Sequence, residues 1–258
     1  MNTISAASAA VTGARHLRAA RNGQDAVATW LGDGAGAAVV CDGCGSGASS
    51  EVGARLGAQL VIAAIAARLA AGERPGALWD GVRAEVTATL ARLADAMPGV
   101  REAVIRDHFL FTIVAAAVAG DEACVWAIGD GGYRLAPGAL RVLGPFADNQ
   151  PGYLAYDLLG MPQRAHLDVR DAGAGQLVVA TDGAVELDAA GPGLDDLLDA
   201  RTLAHPDGLR RRLAVLARSG ERIDWGARRV VRTPAALQDD GAIAVLAWQP
   251  ERRPGGQR

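Results

Sequence analysis

The stretch from Gly36 to Gly57, GAAVVCDGCGSGASSEVGARLG, decides how the rest of the chain is interpreted. It begins with an apolar run, Ala37 to Cys41, that ends in the pair Asp42-Gly43. A loop of small residues follows, and a long apolar segment begins at Glu51. This pattern predicts a buried strand that delivers one carboxylate to its end, where glycine leaves the backbone carbonyls open to a ligand, and then a buried helix.

Two further predicted strands end in the same way. The run Leu177 to Thr181 leads into Asp182-Gly183, and the run Val125 to Gly129 leads into Asp130-Gly131. A single strand that ends in Asp-Gly is ordinary turn chemistry. Three such strands indicate that carboxylates are brought to a common point.

Aspartates that stand at predicted strand ends, beside glycine or apolar residues, are the candidate site residues: Asp25, Asp42, Asp130, Asp182 and Asp240. Buried carboxylates that crowd together repel each other, and a divalent cation removes that repulsion. Oxygen ligands without paired histidine or cysteine favour Mg²⁺ or Mn²⁺ over zinc. The alternative is that each aspartate caps a turn or a helix independently, and for any single one this is the preferred interpretation.

Composition limits the class of protein. The chain has 258 residues and a formal net charge of -3, and half of its residues are hydrophobic, which is enough for one large domain or two small ones. The acidic balance gives no support for nucleic acid or an anionic membrane as a partner. Three cysteines argue against a disulfide scaffold. Because neither a signal peptide nor a spanning segment is recognised, we expect a cytoplasmic protein without membrane contact.

Runs of strands with helices grouped between them predict an α+β fold. We expect one domain over residues 1–248 and a disordered tail over 249–258. Residues 1–10 are predicted to be frayed, and Val11 to Leu17 to form the first strand. The segment Gly144 to Gln163 contains three prolines and predicts a long irregular loop of the kind that carries specificity.

Six stretches resemble, in order, the motifs of the metal-dependent PP2C-type (PPM) protein serine/threonine phosphatases. The resemblance is greatest to the bacterial branch, whose first motif ends in Gln-Asp rather than Glu-Asp. Each motif alone is weak, but the ordered set is specific and covers about residues 13–248. The stretches are RAARNGQDA (18–26), VVCDGCGSG (39–47), Thr112 to Ala115, AIGDGGYRL (127–135), VVATDGA (178–184) and QDDGAIAVL (238–246).

The resemblance implies a four-layer α-β-β-α sandwich of two mostly antiparallel sheets flanked by helices, with a dinuclear Mg²⁺ or Mn²⁺ site at one edge. By similarity, Asp42 would bridge two metals and the Gly43 carbonyl would bind one of them. Asp182 and Asp240 would complete the shell of the second metal.

Two more aspartates have roles by similarity. Asp25 would hold a metal-bound water, and Asp130 together with Asp182 would serve a weaker third ion. Asp42 and Asp182 would thus take part in catalysis as ligands, and no protein nucleophile is needed. The implied substrate is phosphoserine or phosphothreonine on a protein, in opposition to a bacterial Ser/Thr kinase. The alternative function is a catalytically weak module of the same fold that binds a phosphoprotein or a kinase.

The chain departs from the family pattern at three places. An arginine usually precedes the acidic pair and grips the phosphate; here Arg18 and Arg21 compete for this role, and neither has the commonest spacing. Cys44 stands where many relatives carry His or Met, so protonation of the leaving group would fall to water. Gly241 replaces the usual Asn after Asp240, which leaves Asp239 as the alternative ligand.

Overall fold

The computed structural model describes residues 3–147, 150–173, 175–190 and 193–249. The strands are β1 (Thr3–Val11), β2 (Asp25–Gly32), β3 (Ala35–Asp42), β4 (Ile113–Ala119), β5 (Glu122–Ile128), β6 (Gly131–Leu135), β7 (Arg141–Leu143), β8 (His166–Asp171), β9 (Gly175–Ala180), β10 (Gly220–Asp224), β11 (Arg229–Thr233) and β12 (Gly241–Gln249). The helices are α1 (Ala14–Ala19), α2 (Ser50–Ala70), α3 (Trp79–Ala96), α4 (Arg101–His108), α5 (Asp182–Ala190), α6 (Gly193–Leu197), α7 (Ala200–Ala204) and α8 (Gly208–Leu216), with a 3-10 helix at Leu154–Leu159.

Two five-stranded antiparallel sheets form the centre of the fold. One has the order β1-β12-β9-β6-β7 and the other the order β2-β3-β4-β5-β8, while β10 and β11 form a separate ribbon. Helices α2, α3 and α4 cover the outer face of the second sheet, and α5, α6 and α8 cover the outer face of the first. The predicted α-β-β-α sandwich is therefore confirmed.

The apolar run of β3 contributes buried side chains to both faces of its sheet. Alternate side chains of a strand point to opposite faces of a sheet. Accordingly, Val39 and Cys41 pack under the helices, whereas Ala38 and Val40 pack against the other sheet. Because both faces are buried, the strand is apolar throughout until it reaches Asp42 at the edge.

Helix α2 lies very close to the end of α4. A Cβ atom at Gly53 would lie 1.7 Å from the carbonyl oxygen of His108, so only glycine permits this approach. The Ser49 amide donates to the Asp107 carbonyl at 2.9 Å, and the Cys44 amide donates to the Leu110 carbonyl at 2.9 Å. The end of α4 is therefore fixed beside the loop that follows Asp42.

By length and composition alone, α2 could cross a membrane, but half of its most apolar window is buried. It packs against β2, β3 and α3 in the way of a core helix. The expectation of a cytoplasmic protein stays a prediction.

The two ends of the chain differ from expectation. Residues 3–10 are not frayed, because β1 pairs along its whole length with β12. The predicted strand Val11 to Leu17 is wrong beyond Val11, since α1 begins at Ala14 and its first amides donate to the carbonyls of Leu237 and Gln238. Strand β12 includes Gln249, one residue beyond the predicted domain boundary; residues 250–258 of the predicted tail lie outside the described residues.

The segment 144–163 is more regular than predicted. It contains the 3-10 helix Leu154–Leu159, which is held on α3 by two hydrogen bonds of 2.8 Å from Arg83 to Asp157. Proline content marked the irregular part of this segment but gave no sign of the long-range ion pair that orders the rest.

Candidate metal centre

Asp25 and Asp42 face each other at one edge of the second sheet. They are directly paired in the antiparallel register of β2 and β3, and their carboxyl groups share a hydrogen bond. The Thr112 amide donates to the Asp42 backbone carbonyl at 2.8 Å and the Gly43 amide donates to the Gln24 carbonyl at 3.1 Å. The main chain on both sides of Asp42 is thereby fixed.

The other sheet brings its aspartates to the same edge. Asp130 lies in the turn between β5 and β6, and Asp182 follows β9 as the first residue of α5. Gly131 has a φ of 110°, and a Cβ there would lie 2.6 Å from the Ala180 carbonyl oxygen. The glycine after Asp130 is thus required both by backbone conformation and by the closeness of β9.

A hydroxyl group joins the two sheets at this edge. Thr181, which precedes Asp182, donates its Oγ1 proton to Asp25 Oδ2 at 2.5 Å and accepts from the Ala242 amide at 2.9 Å. Thr181 is buried, so this contact excludes water. The bond fixes Asp25 behind Asp42 and sets the spacing of the two sheets where the carboxylates meet.

An open cavity of about 670 Å³ lies over this edge. Its lining includes the predicted ligands Asp42, Gly43, Asp130 and Asp182, but not the predicted ligands Asp25 and Asp240. The remaining described residues of the lining are His16, Gln24, Cys44, Gly45, Ser46, Arg106, Asp107, Leu110, Thr112, Gln150, Pro151, Tyr153, Tyr156 and Asp239.

Burial and mutual repulsion raise the pKa values of the clustered carboxyl groups. Burial raises the pKa of Asp25 to about 8, and the charges of Asp240 and Asp182 add to the effect. The pKa of Asp42 is raised well above its usual value by burial and then by Asp25 and Asp182. Burial and the charge of Asp182 raise the pKa of Asp130 to about 6. The cluster therefore resists full ionisation unless positive charge is supplied.

Among the described residues, no arginine or lysine forms an ion pair with Asp25, Asp42, Asp130 or Asp182. Carboxylate and carbonyl oxygens without a neutralising side chain are the donor set of a hard divalent cation. The residues present thus fit Mg²⁺ or Mn²⁺.

A family model for protein phosphatase 2C matches residues 12–222. The chain belongs to the protein phosphatase 2C family. It is accordingly a metal-dependent protein serine/threonine phosphatase, which confirms the resemblance drawn from the six motifs, and Mg²⁺ or Mn²⁺ is confirmed as its class of cofactor.

Solved structures of low sequence identity share the protein phosphatase 2C fold. RsbX in complex with magnesium is 12% identical over 95% of this chain and 96% of its own, with a TM-score of 0.53. The catalytic domain of the serine/threonine phosphatase PstP, with two manganese ions, is 17% identical over 97% and 100%, with a TM-score of 0.58. PppA, a key regulatory component of T6SS in Pseudomonas aeruginosa, is 17% identical over 96% and 100%, with a TM-score of 0.57. No curated protein sequence matches the chain at a significant level.

Within the protein phosphatase 2C site, the structure distinguishes Asp239 from Asp240. Asp240 is 3% exposed and both of its oxygens are occupied: Oδ1 accepts from the Gly13 amide at 2.7 Å, and Oδ2 lies 2.6 Å from the Gln24 amide and 2.7 Å from His16 Nδ1. Asp239 lines the cavity, and its Oδ2 accepts only a 3.3 Å bond from the exposed Arg15. We therefore propose Asp239 as the ligand in place of Asp240.

This assignment predicts different outcomes for the two substitutions. Asp239→Asn is expected to weaken Mn²⁺ binding at least ~10-fold with little change in melting temperature. Asp240→Ala is expected to destabilise the fold, because each buried amide left without a partner costs about 1–3 kcal/mol. Calorimetric titration with Mn²⁺ and thermal melting measure the two effects. Asp33→Asn, in the exposed β2–β3 turn, is the control; weaker Mn²⁺ binding in a stable Asp240→Ala protein would restore Asp240 as the ligand.

The candidate phosphate arginines do not line the cavity. Arg18 is exposed and donates to Gln238 Oε1 at 3.5 Å, and Arg21 is exposed with its amide on the His16 carbonyl. That either one grips the phosphate stays a prediction. Cys44 does line the cavity, with its Sγ 3.1 Å from Ser46 Oγ. Partial burial acts to raise its pKa, but hydrogen bonds with Ser46 and Tyr153 lower it overall.

The lining also contains residues that the sequence did not single out. Arg106 and Asp107 come from the end of α4, and Tyr153 and Tyr156 come from the segment around the 3-10 helix. These residues lie outside the strand-end motifs, so no local pattern indicates them. The packing of α4 against the loop after Asp42 places Arg106 and Asp107 at the site, and the attachment of the 3-10 helix to α3 places Tyr153 and Tyr156 there.

Proposed function

We propose that this phosphatase hydrolyses phosphoserine and phosphothreonine on proteins at a dinuclear Mg²⁺ or Mn²⁺ centre and opposes a Ser/Thr kinase. One observation supports this most: strand-end carboxylates of both sheets meet at a single cavity, and among the described residues no arginine forms an ion pair with Asp42, Asp130 or Asp182. When bound, the cations neutralise phosphoryl charge and make a water molecule more acidic, which is the chemistry that an in-line displacement requires.

The residues of the chain divide into those that hold the centre and those that position them. Asp42, the Gly43 carbonyl, Asp182 and Asp239 would hold the two ions, and Asp130 with Asp182 would hold a weaker third. These groups lie at the ends of strands whose backbones are fixed by the β-ladders, so little reorganisation is needed when the substrate binds.

Asp25 does not line the cavity and would act on the centre through Asp42. Its Oδ2 accepts the Thr181 hydroxyl bond, and its carboxyl group is hydrogen-bonded to Asp42. It therefore orients Asp42 and can hold or release a proton next to the centre. The family resemblance implies that no protein nucleophile is needed, and this division of roles agrees with that.

The shape of the surface supports a protein substrate. A second cavity of about 680 Å³ opens beside the first and shares Gln150, Pro151 and Tyr156 with it. Its lining adds Phe146 and Gln163 from the segment that we predicted to carry specificity. A substrate chain that presents a phosphorylated side chain to the carboxylate cluster would find a partly apolar groove for its neighbouring residues.

The test of this function is hydrolysis of p-nitrophenyl phosphate against Mn²⁺ and Mg²⁺ concentration. We expect turnover that EDTA abolishes and excess Mn²⁺ restores, because the carboxylate cluster needs the cation. The same dependence on a phosphoserine or phosphothreonine peptide would support the substrate class. Turnover that persists in EDTA would contradict the proposal, and a folded protein without turnover would favour the phosphoprotein-binding module.

A further inference from the structure

We propose that Arg106 is the residue that binds the phosphoryl group of the substrate in this protein. The inference rests on the proposed function and extends it to a residue of the same cavity. Neither Arg18 nor Arg21 lines that cavity, and among the described lining residues Arg106 is the only arginine or lysine.

The charge of the cavity favours a positive side chain beside an entering phosphate. Its lining carries the carboxyl groups of Asp42, Asp107, Asp130, Asp182 and Asp239. Even when two divalent cations are bound, a phosphate dianion that enters must lie against this acidic wall. An arginine is suited to the task, because its planar guanidinium donates two parallel hydrogen bonds to phosphate oxygens.

The backbone of Arg106 is held at a fixed place relative to Asp42. Its own carbonyl and that of Asp107 would lie 3.3 Å and 3.1 Å from a Cβ at Gly47, so the loop after Asp42 packs directly against the last turn of α4. The Ser49 amide adds a hydrogen bond of 2.9 Å to the Asp107 carbonyl. The side chain of Arg106 is therefore attached to a fixed stretch of backbone beside the carboxylate cluster.

The side chain itself is free to turn toward a phosphate. Arg106 Nε and Nη2 both donate to Glu102 Oε1, at 3.1 and 2.9 Å, in an ion pair whose two side chains are 48% and 62% exposed. An exposed pair one helical turn apart contributes little stability. A phosphate dianion with two acceptor oxygens can replace the single glutamate oxygen.

The experiment compares Arg106→Ala and Arg106→Lys with the wild type in the Mg²⁺-loaded protein. The KM for p-nitrophenyl phosphate and the inhibition constant of inorganic phosphate are expected to rise about tenfold in Arg106→Ala, because this variant loses a hydrogen bond from a charged group to the phosphate. In Arg106→Lys both constants are expected to lie between those of the wild type and those of Arg106→Ala, since lysine keeps the charge but lacks the planar guanidinium that donates two parallel hydrogen bonds. Arg101→Ala is the matched control, because Arg101 is on the same helix but bonds to Asp95 and the Leu158 carbonyl.

Calorimetric binding of inorganic phosphate to the same proteins is independent of turnover. If the wild type binds phosphate through Arg106 but hydrolyses nothing, the inference stands and the proposed function fails. Unchanged KM and phosphate affinity in a folded Arg106→Ala protein would overturn the inference. So would an effect seen only with phosphopeptides, which would assign Arg106 to the peptide, or an equal effect in Arg18→Ala or Arg21→Ala.

Discussion

Replacement of Asp42 by asparagine is expected to lower Mn²⁺-dependent hydrolysis of p-nitrophenyl phosphate by about three orders of magnitude. Asp42 is the carboxylate on which the site converges: it lines the cavity, faces Asp25 across the sheet and is repelled by Asp182 and Asp130. Asparagine keeps the shape but removes the charge that would bind two cations. The cations provide several kcal/mol of transition-state stabilisation, so most of the rate is lost with them.

The fold of the Asp42→Asn protein is expected to survive. The backbone carbonyl of residue 42, which accepts from the Thr112 amide, is unchanged, and the mutual repulsion of the carboxylates decreases. Thermal melting in EDTA should therefore show a melting temperature equal to or above that of the wild type, with Asp33→Asn as the control. A soluble Asp42→Asn protein that keeps its activity would contradict the placement of the metal centre.

Removal of the metal is expected to destabilise the protein more as the pH rises. Asp25 has a usual pKa of 3.8 when unfolded and about 8 when folded without a cation. Below the lower value both states are protonated, so the group has no effect on the free energy of unfolding. Between the two values only the unfolded state gives up its proton, so Asp25 lowers the stability of the metal-free protein up to about pH 8 and adds no further loss above it. Asp42 adds a loss of the same sign.

A bound cation reverses this dependence, because it binds the ionised form of the carboxylates and its binding therefore releases protons from the carboxyl groups. The rise in melting temperature on addition of Mn²⁺ should therefore be small near pH 5 and increase to several degrees or more near pH 8. Melting curves with Mn²⁺ and with EDTA at both pH values measure it. In Asp42→Asn the Mn²⁺ effect should largely disappear. A Mn²⁺ effect that is independent of pH would show that the carboxylates are already ionised in the metal-free protein.

The carboxylate cluster was predictable because its signal is local. A buried strand must be apolar along its length, so an aspartate and a glycine at its end stand out in the sequence of β3, β5 and β9. The long helix α2 was predictable for the same reason, since its apolar residues lie within one segment.

The first strand was not predictable from local signal. The sequence of β1, TISAASAAV, is rich in alanine and serine, which have low strand propensity. Its structure comes from nine paired positions along β12, at the far end of the chain. Long-range pairing thus overrides local propensity.

The choice between Asp239 and Asp240 also depends on distant contacts. The two are neighbours with the same side chain, so the sequence cannot say which one faces the cavity. The amides of Gly13 and Gln24, over 200 positions away in sequence, occupy Asp240 and so support our proposal of Asp239. Arg106 was missed for a similar reason, because helix α4 meets the site only through its packing on the loop after Asp42.

The hydroxyl bond from Thr181 to Asp25 has a mechanical consequence. In the proposed centre, ligands from the two sheets would share the same ions, so a loaded centre would act as a crosslink across the sandwich, next to a hydrogen bond that already joins the layers. Withdrawal of the ions would then leave hydrogen bonds such as those from Thr181 to Asp25 and from Gln24 to Asp240 to hold the layers together at that edge against repelling carboxylates. Opening of the sandwich should begin there, so the catalytic edge is also the place where the fold is most easily undone.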